Sequence, residues 1–598
     1  MASIQLPTSS SNFYPKTIHT KKSSTSQFFV NYRKRKHALN KQKFSCRATK
    51  DSPGDQQDGN SSKTERSRFD RRDVLLGLGG LYGTTAVSKA AFAAPVEATN
   101  CGSPETLPSG ANITKFVCPP LRPSPYNLPD YSQRTLRERP AAHCVDEVYI
   151  GKYKKAMRLM RALPTEDPHS LASQAAIHCA YCDSAYEMVG FPNFKMQVHN
   201  NWLFFPFHRW YLYFFEKILG KLIEDDTFAL PYWNWDAGKP VPALFKDRDS
   251  PLYDKLRNEK HLLLPSVDLN YSKRNDSPEG DALTKCNNKI MHTQMVTGSK
   301  TPKLFFGCDY RAGDNLKGKG AGAIENQPHT QIHMWTGDPN QRYGEDMGRF
   351  YSAGRDPLFY SHHANVDRMW NIWKTLPGRN RKDIKDPDWL NSSFIFYDEN
   401  KKLVTVNVGD CVDTKRMGYT YEDVEIPWLK FKPARKAKNP KRGSKPGEAI
   451  AAEMPNSSTP QVFRDASEVF PKVLDRLLKV TVPRPKKLRS KEEKEDEEEI
   501  LVIEGIEYDG DEYIKFDVFL NAENEVESGP NNAEFAGSYS DVPSKEKDRV
   551  KITQSFGITD LLEFLDADGD DNVVVALVPR TGKGKVTIGG ARIVLSSQ

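Results

Sequence analysis

The chain has 598 residues, 38% of them hydrophobic and 11% aromatic, which supplies apolar material for two or three packed cores and excludes wholesale disorder. Its formal charge of +8 does not mark a nucleic-acid binder, because no acid precedes Asp51 and much of the excess lies in that opening stretch. Nine cysteines are too few for a disulfide-built scaffold of this size.

The first fifty residues are rich in Ser, Thr, Lys and Arg, the composition of an organellar transit peptide. Arg71-Arg72, an apolar run from Val74 to Val87 and then Ala91-Phe92-Ala93 have the layout of a twin-arginine signal with a small-residue cleavage site. Residues 1–93 therefore read as a bipartite address to the chloroplast and its thylakoid lumen. The apolar run is too short and glycine-broken to cross a hydrocarbon core, which needs about 20 apolar residues, so no transmembrane segment is expected in the mature form.

Apolar residues recur at helical spacing over 145–163, 170–189 and 208–223, then over 327–335 and 357–373, the last with Asp356 as cap and Pro357 in the first turn. This predicts a mainly α catalytic domain over 94–431, a helix bundle with long loops. Residues 432–460 turn to Lys, Arg, Pro, Gly and Ser, the composition of an exposed linker. Beyond it, β-prone runs at 477–482, 500–508, 513–520, 550–555 and 572–578 predict an all-β sandwich as C-terminal domain over 461–598. Its charged insert, 486–499, reads as a solvated loop.

The chemistry lies in the histidines. His178, His199 and His208 fall on or beside two of the predicted helices, and His329, His333, His362 and His363 on two more. His329 and His333 are four residues apart, so both imidazoles leave one helix face and can share a metal ion, with His363 completing the site from a neighbouring helix. Three imidazoles leave a coordination position open, as catalytic sites do, and the ligand type suits copper, zinc or iron.

The stretches His178-Cys179-Ala180-Tyr181-Cys182, Gln197-Val198-His199-Asn200 and Phe205-Pro206-Phe207-His208-Arg209 resemble the first copper site of plant polyphenol oxidases. Glu325-Asn326-Gln327-Pro328-His329 through His333, and Gly354 to Arg368 with its His362-His363 pair, resemble the second. Tyr419-Thr420-Tyr421 and Lys515-Phe516-Asp517-Val518 extend the likeness to the tail, so it covers essentially the whole chain. The resemblance implies two copper ions in a binuclear type 3 centre that oxidises a catechol to an o-quinone while O2 is reduced to water. His178, His199 and His208 would hold one copper, and His329, His333 and His363 the other.

The same resemblance assigns supporting roles. His362 would lie outside the ligand set, Asp367 would accept a hydrogen bond from the His363 imidazole, and Cys182 would be joined to His199 by a thioether. Phe350 would stand over the copper pair, Glu325 would position a water, and Met334 would shape the phenol pocket. Thr330 stands where many members carry Asn, which puts hydroxylation of monophenols in doubt but not catechol oxidation. The chain also lacks one of two adjacent cysteines that the family shows near the mature start. The expected disulfides are Cys101–Cys118 and Cys144–Cys179, with Cys118–Cys179 competing and Cys286–Cys308 a further candidate. The β tail resembles a shielding domain, removed by an activating protease that cuts the linker. Alternatives are a specialised hydroxylase acting on a lignan such as larreatricin, an aurone-forming oxidase of chalcones, and, less favoured, a hemocyanin-like O2 carrier or a structural zinc protein.

Overall fold

The computed structural model describes residues 94–102, 123–132, 134–273, 277–315, 318–341, 343–432, 463–522, 529–543 and 549–596. The targeting segment over 1–93, Cys118 and nearly all of the predicted linker lie outside the described residues.

The catalytic region is built on helices whose ends are set by local chemistry. Asp146 caps α1, Glu147–Ala162, by accepting from the Tyr149 N–H, and Ser170 caps α2, Leu171–Cys182, through the Ser173 N–H. Helix α3, Phe204–Ile223, has aromatic residues on nearly every face and is buried along almost its whole length, as a helix without a polar face must be. Helix α4, Gly280–His292, runs into a π turn over Thr293–Thr297, and a second π turn over Glu325–His329, broken by extended Gln327 and by Pro328, runs into α5, Thr330–Thr336. Helix α6, Pro357–Trp373, starts where the sequence signals it, with Asp356 accepting from the Leu358 N–H and Pro357 in the first turn. The predicted helix over 170–189 is shorter than expected, because Tyr186–Met188 pairs as a strand with Phe191–Lys195.

The tail is two antiparallel sheets. Strands β1 (Leu478–Pro483), β2 (Glu498–Asp509), β3 (Ile514–Leu520), β4 (Phe535–Asp541), β5 (Arg549–Gly557), β6 (Asn572–Pro579) and β7 (Gly590–Ser596) give one sheet in the order β1-β6-β3-β4 and another in which β2 lies between β5 and β7. The charged insert is not a loop: Lys491–Asp496 forms helix α7, nucleated by a capping box in which Ser490 and Glu493 satisfy each other's backbone N–H. The tail packs its own core, which includes Ile503, Phe516 and Leu577. Tyr513, Phe519, Phe535 and Val542 instead join the continuous apolar core of the catalytic helices.

A polar seam reinforces that contact. The Asn326 side chain donates to the Ser538 carbonyl and accepts from the Ser540 N–H at 3.0 Å, while the Gln331 amide donates to the Ser540 hydroxyl at 2.7 Å. Lys515 reaches both Asp517 and Asn270. Gly320 is required here by contact alone, since a Cβ would sit 1.8 Å from the Thr553 carbonyl oxygen where β5 crosses it. Among the described residues, no helix is long and apolar enough to cross a membrane.

Candidate metal centre

Four separated segments bring the histidines together. His178 comes from the C-terminal half of α2, His199 from the loop before α3, and His208 from the second turn of α3. His329 ends the second π turn, His333 lies on α5, and His362 and His363 lie on α6. Donor atoms of His178, Cys182, His199 and His208 fall within 4.8 Å of one another, as do those of His329, His333, His362 and His363. The two clusters face each other, with the His208 and His363 rings stacked at 4.1 Å between centroids and 15° between planes.

Backbone carbonyls aim the rings. Nδ1 of His178, His208, His329 and His333 contacts the carbonyls of Phe350, Phe204, Glu325 and Met347 at 3.0, 2.8, 3.1 and 2.8 Å. An Nδ1–H so engaged fixes the tautomer that leaves the Nε2 lone pair free for a metal. Nε2 of His178, His208 and His329 has no protein partner although each is buried, and Nε2 of His333 and His363 converge at 3.4 Å. Burial also holds the imidazoles neutral: His208 is pulled down to about 3 and His333 to about 4, and the remaining rings lie well below their ordinary value. Buried polar atoms without partners are costly, so this many converging lone pairs fit a missing cation rather than a packed core.

The other candidate residues lie around the two clusters. The Phe350 ring stacks on His199 at 4.1 Å, and Phe359 packs edge-on against His178 at 4.7 Å. Neither ring nitrogen of His199 has a hydrogen-bond partner, and its ring lies in the cluster that contains Cys182. Glu325 accepts from the Asn200 N–H at 2.6 Å through one oxygen and leaves the other unpaired, and burial raises its pKa well above the carboxylate range. The Thr330 hydroxyl donates to the Glu325 backbone carbonyl at 3.1 Å. Met334 lines a cavity of about 250 Å³ between the catalytic region and the tail, together with Arg349, Tyr513 and Pro543. His362 stacks on His329 at 5.3 Å with both of its ring nitrogens unpartnered, so a fourth imidazole belongs to the second cluster.

Asp367 does not reach His363. Its carboxylate takes Arg209 Nε at 2.5 Å, Arg139 Nη1 at 3.3 Å and the hydroxyls of Tyr419 and Tyr421 at 2.6 and 2.5 Å, and Nδ1 of His363 stays unpaired. Two buried guanidiniums outcompete a neutral imidazole for a buried carboxylate, and the same cations hold Asp367 below its usual range. Cys144 and Cys179 carry free thiols, the first exposed and the second buried, so neither Cys144–Cys179 nor Cys118–Cys179 forms; Cys286 and Cys308 are free as well. Cys101 is disulfide-bonded. Sequence reasoning also missed the carbonyls of Met347 and Phe350, which no side-chain pattern could reveal.

Residues 168–376 match the common central domain of tyrosinase, 383–434 the polyphenol oxidase middle domain, and 470–595 the chloroplastic polyphenol oxidase C-terminal domain. A chloroplastic polyphenol oxidase of Malus domestica is 52% identical over 93% of both chains. The chain belongs to the plant polyphenol oxidase family. Aureusidin synthase of Antirrhinum majus is 49% identical over 87% of this chain and 93% of its own, and (+)-larreatricin hydroxylase of Larrea tridentata 46% identical over 92% and 94%. The solved structure of latent apple tyrosinase superposes with a TM-score of 0.72 at 53% identity, covering 80% of this chain and all of its own. The mainly α catalytic region with an all-β tail is thus the fold of this family of enzymes, and its paired histidine clusters fit a dicopper centre.

Proposed function

We propose that this polyphenol oxidase oxidises catechols to o-quinones with two copper ions, one held by His178, His199 and His208 and the other by His329, His333 and His363. The observation that carries the assignment is the set of buried Nε2 atoms that converge without protein partners. When bound, the copper pair would pass two electrons from each of two catechols to one O2, giving two quinones and two waters. The chain's own residues do the rest. Backbone carbonyls orient the imidazoles, the Phe350 ring and the Met334 side chain supply apolar surface for the phenol ring, and the buried Glu325 carboxyl, one oxygen of which is unpaired, is placed to hold a water. The closeness of Cys182 to His199 supports a thioether from the Cys182 sulfur to a ring carbon of His199 as the device that holds this loop-borne ligand.

The tail is read as a lid over residues 461–598, released by a protease acting in the linker over 432–460, and the catalytic domain as 94–431. The seam at Asn326 and Gln331, one turn from two ligands, supports that reading. The N-terminal segment is read as an address to the thylakoid lumen of the chloroplast, a reading supported for the chloroplast by the name of the Malus relative. A lignan or a chalcone as the physiological phenol remains the second reading, favoured by the likeness to larreatricin hydroxylase and aureusidin synthase.

The test is product identification by mass spectrometry with copper-loaded, tail-cleaved enzyme on simple catechols, tyramine, lignans and chalcones. Quinones from catechols at high kcat/KM are expected. Turnover of a lignan or chalcone alone transfers the assignment to the specialised reading, and equal rates for full-length and cleaved forms remove the lid.

A further inference from the structure

Residues 346–350 form a short strap that touches both histidine clusters. The Met347 carbonyl meets His333 Nδ1 at 2.8 Å, the Phe350 carbonyl meets His178 Nδ1 at 3.0 Å, and the Phe350 ring lies on His199. One segment of five residues thus orients imidazoles from the two clusters at once.

The strap is held at its first residue by an unusual contact. The buried Asp346 carboxyl is hydrogen-bonded to the carboxyl of Asp254, although both are acids. Such a pair is stable only when it shares a proton, and burial together with the neighbouring Asp254 and Asp356 charges keeps Asp346 protonated well above the carboxylate range. The nearest cation, Arg355, stands 4.0 Å away. Asp254 also accepts from the Leu256 N–H at 2.7 Å, and Arg257 in the same loop makes a two-pronged ion pair with Asp356, the cap of α6. The strap therefore hangs from a loop that is itself pinned to the helix carrying His363.

We propose that the Asp254–Asp346 carboxyl pair is a positioning clamp for the metal centre, holding one strap so that it aims an imidazole of each copper site. The inference rests on the ligand assignment proposed above. Groups that orient a ligand imidazole typically change metal affinity by about 10–100-fold when removed, and here one contact governs two sites.

The experiment is chelator competition on the full-length copper-loaded chain, with metal analysis for copper per chain and thermal unfolding of the metal-free form. Asp346→Ala and Asp254→Ala are each expected to lower the affinity of both coppers by about tenfold or more, with the double variant no worse than either single. Asp346→Asn, whose amide donates to Asp254 as the protonated acid does, is expected to retain both coppers as the wild type does. An Asp346→Ala chain that unfolds earlier yet keeps both coppers, or that loses only one, overturns the clamp. Should Asp346→Ala fail to fold, Asp254→Ala and Asp346→Asn decide the matter by the same criteria. A wild-type chain that binds fewer than two coppers overturns the ligand assignment itself.

Discussion

Helix α6 carries two buried polar sites on successive turns, and they are built in opposite ways. Around Asp367 every charge has a counter-charge, although Nη2 of Arg139 makes no hydrogen bond: two guanidiniums and two phenol hydroxyls meet one carboxylate, and Glu216 takes the other side of Arg139 at 2.8 Å. Around His363, four residues earlier, imidazoles crowd together: its Nδ1 and Nε2 of His208 and His329 have no partner among the described residues, and its Nε2 meets only that of His333. A buried polar group without a partner costs roughly 1–3 kcal/mol, so evolution keeps a cluster of them only where an outside ligand completes it. The charge-paired knot holds the helix, and the open one fits a metal.

The largest effect should come from the charge-paired side. Asp367→Ala leaves Arg209 with no counter-charge in a dry site and is expected to cost about 3–5 kcal/mol in unfolding free energy, read by denaturant titration of the metal-free protein. A loss near 1 kcal/mol would show that water enters the knot and that the contrast with the histidine side is false.

A buried acid between these extremes sharpens the scale. Asp541 at the end of β4 is hydrogen-bonded by Tyr508 and Asn200 but faces no cation among the described residues, and burial pushes it up to about 6. A pKa raised on folding contributes stability that is present below about pH 4 and lost as pH rises through 6. Asp541→Asn removes that dependence, so the variant should gain about 3 kcal/mol on the wild type between pH 4 and pH 7. Thermal unfolding at the two pH values checks it, and parallel curves would place Asp541 in contact with solvent.

On the open side the sign reverses. His363→Phe keeps a flat aromatic ring, slightly larger, and removes two polar nitrogens, so the metal-free protein should unfold at the same free energy or about 1 kcal/mol higher, while copper per chain falls and catechol oxidation is lost. Destabilisation comparable to that of Asp367→Ala would make His363 a structural residue and shift the second site toward His362.

The sequence made the helices and the histidine groups legible because both depend on local spacing. Asp356 and Pro357 announce α6 at its true start, and the i, i+4 pair His329 and His333 points one way whatever surrounds it. Strand β4 was invisible: its Phe-Ala-Gly-Ser-Tyr-Ser-Asp run reads as a turn, yet all seven residues are buried, and Gly537 is needed because a Cβ there would lie 2.9 Å from the Phe556 ring. The role of Asp367 was misread for a related reason. Its partners Arg139 and Tyr421 lie 228 and 54 positions away, brought close by parallel pairing of Arg137–Arg139 with Tyr419–Tyr421. Cys144 and Cys179 show the converse, two thiols that the family resemblance invites one to pair and that folding leaves on the surface and in the core. The capping box at Ser490 and Glu493 was in plain view, but a run of charges masked it.

The smallest effect tests whether charge outside a dry site counts at all. Arg379 in the catalytic region pairs with Asp496 at 2.9 Å and Glu495 at 3.2 Å, joining it to α7 of the tail, and all three side chains are well exposed. In high dielectric the attraction is screened and barely exceeds the entropy lost by three long side chains, so Arg379→Ala should change stability by less than about 0.5 kcal/mol. The rate of catechol oxidation by the full-length form should stay unchanged too, because the tail is held by the buried seam at Asn326, Gln331 and Lys515. A marked rise in that rate, abolished by lowering the salt concentration, would mean that surface charge rather than buried hydrogen bonding keeps the lid closed.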